Sequence, residues 1–144
     1  LQMRGDARDA EPLYREALSI VEQSPSRNDV ERGVYLRGLA SVLLDQGRVA
    51  EAEPLARAAL ATFREAKAPS WRIADAESVL GGCLVARGRF GEAEPLLVGA
   101  FEALAKSPGD GSRRAGEARA RVVALYKTWG RPELAAEYAV KKNL

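Results

Sequence analysis

The 144-residue chain contains no histidine and a single cysteine, Cys83. Without histidine there is no imidazole to bind a metal or to act as base in a serine or cysteine triad. One cysteine can form neither a disulfide framework nor a cysteine zinc site. Aromatic residues make up only 6%, and isoleucine and threonine are scarcer still, so the residues that favour strands are largely missing. No apolar run approaches the ~18 residues needed to span a bilayer, and Val79–Ala86 is among the longest. What remains is a chain 47% hydrophobic, mainly alanine, leucine and valine, and 29% charged, a composition that suits helices. Its length suits one domain.

The net charge of +2 is unevenly spread. From Ser112 onward eight basic residues (Arg113, Arg114, Arg119, Arg121, Lys127, Arg131, Lys141, Lys142) face three acidic ones (Glu117, Glu133, Glu137). Such an end reads first as a solvated helical face, with nucleic-acid binding as the less favoured alternative. The opening Leu1-Gln2-Met3-Arg4 is neither an initiator methionine nor a charged-then-apolar signal segment. It reads as the start of a fragment, and the chain is expected to be cytoplasmic.

The strongest signal is internal repetition. Gly5-Asp-Ala-Arg-Asp-Ala-Glu-Pro-Leu-Tyr-Arg-Glu-Ala-Leu18 is matched by Gly47-Arg-Val-Ala-Glu-Ala-Glu-Pro-Leu-Ala-Arg-Ala-Ala-Leu60. It returns as Gly88-Arg-Phe-Gly-Glu-Ala-Glu-Pro-Leu-Leu-Val-Gly-Ala-Phe101 and, more loosely, from Gly130 to Lys141. The four glycines are spaced by 42, 41 and 42 residues, a period that means stacked helical hairpins. Each repeat reads as a helix A, a turn at the glycine, a helix B and a loop. The expected fold is therefore all-α: a right-handed superhelical solenoid of antiparallel hairpins, about 3.5 repeats and seven helices.

The expected divisions are a partial repeat over 1–27, holding helix B after a stub of helix A, then repeats over 28–69, 70–111 and 112–144. Helix A of the second repeat should start near Asn28 or Asp29, and its helix B should run to about Lys67. The third repeat pairs Ser70–Arg87 with Phe90–Lys106. The fourth pairs Ser112–Trp129 with Pro132–Asn143, after a loop over Ser107–Ser112. Pro12, Pro54 and Pro95 each follow a repeat glycine by seven residues, which places them where helix B has only just begun. Ala10, Ala52, Ala93 and Ala135 are expected to face Ala40, Gly81 and Val123, small residues that let two helices approach closely. Leu18, Leu60 and Phe101 should fill the layer beyond. Cys83 and Trp71 read as packing residues.

These units resemble the tetratricopeptide repeat of the longer kinesin-light-chain type, in which Gln-Gly-Arg/Lys-x-x-Glu-Ala-Glu-Pro-Leu marks the turn; Gln46–Leu55 matches it. The paired asparagines that kinesin light chains carry on helix A are replaced here by Arg37-Gly38, Ser78-Val79 and Ala120-Arg121, so cargo recognition of that kind is not implied. The stretches Trp71–Leu84 and Ala124–Tyr138 are similar to the last repeats of bacterial receptor-type serine/threonine protein kinases, where a catalytic domain precedes a long repeat array. That likeness implies the C-terminal part of a larger bacterial protein. No kinase motif lies in the chain itself: Gly-x-Gly-x-x-Gly, His-Arg-Asp and Asp-Phe-Gly are all missing.

No catalytic, cofactor-binding or metal residue is assigned. The carboxylate pairs Glu51/Glu53 and Glu92/Glu94 recur with the repeat and read as negative charge at the helix B N-terminus, complementing the dipole. The resemblance implies a concave surface lined by the A helices. The exposed stripes beside their cores fall at Val34, Arg37, Ser41, Leu44 and Asp45, then at Asp75, Ser78, Gly82, Val85 and Ala86. On the last A helix they fall at Glu117, Ala120, Ala124, Lys127 and Thr128. The expected function is a noncatalytic scaffold that binds a partner peptide or helix in this groove. Self-association through the open face of the first helix is the alternative, and membrane binding is not expected.

Overall fold

The structure is a computed structural model that describes residues 4–24 and 28–140. Those residues form seven helices and no strand, the expected all-α helical-repeat class. They fall into two compact units, 1–68 and 69–144. The first holds α1 (Arg4–Gln23), α2 (Asp29–Asp45) and α3 (Val49–Glu65). The second holds α4 (Ser70–Ala86), α5 (Phe90–Lys106), α6 (Asp110–Thr128) and α7 (Pro132–Val140).

Hairpins α2–α3, α4–α5 and α6–α7 close in the same way. At the first, the Arg48 N–H bonds the Leu43 carbonyl and the Gly47 N–H bonds the Leu44 carbonyl, both at 2.9 Å. These are the paired closing bonds of a helix ended by a left-handed residue. The same pairs recur from Arg89 to Leu84 and Gly88 to Val85, and from Arg131 to Tyr126 and Gly130 to Lys127. The residue that turns the chain must take positive φ, and Gly47, Gly88 and Gly130 sit at 78°, 77° and 76°. That requirement is the physical basis of the glycine period.

α3 ends with the same bonds, Ala68 to Phe63 and Lys67 to Arg64, but its left-handed residue is Lys67 at φ 53°. A side chain there is strained. Lys67→Gly should stabilise the chain by about 0.5–1 kcal/mol, because it relieves the strain while losing some unfolded-state restriction. Urea denaturation checks this, and a loss of stability would contradict it.

Several boundaries differ from expectation. Gly5 is not a turn: α1 runs through it from Arg4. Pro54 and Pro95 lie in the second turn of their helices, because α3 begins at Val49 and α5 at Phe90. Each proline therefore removes one internal bond, which would have gone to the carbonyl of Ala50 or Gly91; both residues are exposed, so water can serve instead. The loop before α6 is shorter than expected. Gly109 turns at φ 64°, the helix starts at Asp110, and Gly111 packs where a side chain would strike Ser107 and Trp71. Residues 141–144, the expected end of α7, lie outside the described residues.

At the start of α2, Asn28 caps the helix, its Oδ1 accepting the Glu31 N–H at 2.9 Å. In unit 1, Leu36, Leu39, Leu43, Ala52, Ala56, Ala59 and Phe63 are buried, and the Phe63 ring lies against Gly33. The Tyr14 ring of α1 occupies the space a side chain on Gly38 would need. In unit 2, Gly81 makes way for Leu97 rather than for Ala93, although Ala93 is also buried. Large side chains thus seat on glycines across the hairpin, where small-on-small contact was expected. Cys83 is fully buried.

Five of the nine aromatic residues gather at one end of unit 2. Trp129 stacks on Phe90 (5.8 Å between centroids) and on Tyr126 (6.4 Å). Tyr138 of α7 meets Tyr126 at 5.8 Å and Phe101, in a T-shaped arrangement, at 6.0 Å. The Tyr126 hydroxyl donates to Glu94 of α5 at 2.7 Å, and burial followed by that carboxylate pushes its pKa up, so the phenol stays protonated.

Candidate interaction face

The repeated Gly-Arg-x-x-Glu is a local clamp. Arg48 forks onto Glu51 at 2.8 and 2.9 Å, and Arg89 onto Glu92 at 2.7 and 2.8 Å, bringing the first turn of helix B against the corner. Arg48 also donates to Glu11 of α1 at 2.7 Å. The Arg48 bonds hold both Glu11 and Glu51 below the usual carboxylate range. Dipole compensation therefore describes only the first carboxylate of each recurrent pair. The second is a tether: Glu53 is buried and paired with Arg57 at 2.9 Å, and Glu94 holds Tyr126. Among the described residues no group of three or more metal-ligating side chains is placed to hold an ion.

Of the residues expected to line a groove, the α2 set belongs to unit 1. Val34, Arg37, Ser41 and Leu44 are half-buried and Asp45 is exposed. In unit 2, α4 packs against α6, and this changes the expected lining. Asp75 and Ser78, expected on the exposed stripe, are only 5% and 1% exposed. Their cover comes from α6: Arg121 Nη1 donates to Ser78 Oγ at 3.0 Å, and Arg114 Nη1 lies 3.6 Å from Asp75 Oδ2. Arg121 is steadied in turn by Glu117 at 3.1 Å. Long arginines one repeat further on reach back over the preceding A helix, so those two residues hold α4 to α6 and cannot contact a partner.

The open part of the face lies beyond them. Gly82 and Val85 are half-buried, while Ala86, Glu117, Ala120, Ala124, Lys127 and Thr128 are exposed. Gly82 and Ala124, like Val85 and Lys127, hold equivalent places one repeat apart. The result is a band of small apolar side chains bounded on α6 by Glu117, near the middle of the helix, and by Lys127 in its last turn.

The basic end is largely committed to internal contacts. Besides Arg114 and Arg121, the Arg119 guanidinium lies 5.6 Å over the Phe101 ring and that of Arg131 3.9 Å over Trp129. Lys141 and Lys142 lie outside the described residues. The offset of about one repeat between Asp75 and Arg114, and between Ser78 and Arg121, was the available sequence signal for these pairings.

A second exposed feature lies on α1. Leu13 and Ile20, one heptad apart on the same helical side, are 65% and 63% exposed. Ile20 borders a hollow of about 210 Å³ together with Ala17, Val21 and Tyr35. Among the described residues, no helix is long and apolar enough to cross a membrane.

A family model for the tetratricopeptide repeat matches residues 1–65. No curated protein and no solved structure matches the chain. Residues 1–65 are thus similar to the tetratricopeptide repeat, a motif that generally mediates protein–protein interaction and is typically a noncatalytic scaffold.

Proposed function

We propose that this chain is a noncatalytic interaction module that receives an extended or helical segment of a partner protein on the open α4–α6 face. The supporting observation is the exposed stripe Glu117, Ala120, Ala124 and Lys127 of α6 beside the half-buried Gly82 and Val85 of α4. Val34, Arg37, Ser41, Leu44 and Asp45 of α2 are proposed contacts of the same kind. Peptides selected from a random library for binding to the chain provide the test. Their resonance shifts should map to the α6 stripe, and Ala120→Arg with Ala124→Arg should weaken binding at least tenfold while leaving the helical circular dichroism unchanged. Binding that survives this double substitution overturns the proposal.

Self-association through α1 is the second reading, favoured by the exposure of Leu13 and Ile20. In sedimentation velocity the chain should then associate with rising concentration, and Leu13→Ser with Ile20→Asp should keep it monomeric. A wild-type chain that stays monomeric at high concentration excludes this reading. Nucleic-acid binding gains no support, because four of the α6 and corner arginines already have partners within the fold.

The likeness of Trp71–Leu84 and Ala124–Tyr138 to bacterial kinase repeat arrays supports a cytoplasmic regulatory setting within a larger bacterial protein. The complete coding sequence tests that setting, since a kinase signature should be found there.

A further inference from the structure

We draw no further inference here: the strongest candidate, the exposed Gly116, Ala120 and Ala124 stripe of α6 beside Lys127, belongs to the face already described, and nothing in the structure shows what covers it.

Discussion

Phe101→Ala is expected to destabilise unit 2 by about 3–5 kcal/mol, the range for emptying a fully buried aromatic site. Phe101 is fully buried, in T-shaped contact with Tyr138 and with the Arg119 guanidinium over its ring. The damage should concentrate in α7. Its nine described residues are too few to persist in water unaided, and those buried among them are Ala135 and Tyr138. Removing Phe101 takes away one of the two aromatic rings against which Tyr138 rests. Thermal unfolding should fall by roughly 10 °C, and amide exchange should lose protection in α7 before α4. Phe101→Leu should recover most of the loss. A drop below about 1 kcal/mol for the alanine variant would show that the aromatic cluster does not hold α7 in place.

The second large effect belongs to Gly81. A Cβ at this position would stand 2.6 Å from both Cγ and Cδ2 of Leu97, which is itself fully buried. Those atoms have nowhere to go, so Gly81→Val should cost about 1–3 kcal/mol or more through overpacking. An ordinary exposed helical glycine would behave in the opposite way, since replacing it removes a helix-propensity penalty of about 1 kcal/mol. The direction of the change therefore tests the packing directly. A double-mutant cycle with Leu97→Ala sharpens it: the double variant should lose clearly less stability than the two single losses combined. Strict additivity would mean that the two positions do not touch.

Much of the backbone was legible because it depends on short-range chemistry that recurs. The corner glycines are spaced by the repeat since each must take positive φ; α2 starts where expected, and α4 and α5 lie within one residue of their expected ends. Gly5 misled for the same reason: it keeps the repeat register in the sequence but lies within α1. The prolines read as lying where helix B has only just begun, yet Pro54 and Pro95 come five residues after the starts at Val49 and Phe90, the second of which is the expected start.

The face was less legible. Periodicity along one helix tells which side chains share a side, and on that basis Asp75 and Ser78 join Gly82 and Val85. It does not register how far the side chains of a neighbouring helix extend. Arg114 and Arg121 reach α4 from one repeat further on, so a stripe that is open by spacing is partly closed by the length of two side chains. Ala120 and Ala124 remain exposed. The aromatic gathering was hidden for a similar reason. Phe90, Phe101, Tyr126 and Tyr138 belong to three helices, Trp129 caps the second of them, and the five share no sequence motif.

The Gly-Arg corner also bears on how such a chain can grow. Besides the Arg48–Glu11 bond and the Arg15–Glu51 ion pair, the closing bonds and forks of the first two corners lie within about nine residues, from Leu43 to Glu51 or from Leu84 to Glu92. A segment that closes its own bonds can be duplicated in the gene without a matching change elsewhere. At the last corner the pattern changes: Pro132 and Leu134 replace the copied residues, Leu134 standing at the position of the forked glutamate, and Arg131 lies on Trp129. The final hairpin has thus departed from the duplicated pattern and adopted a corner built on neighbours of its own.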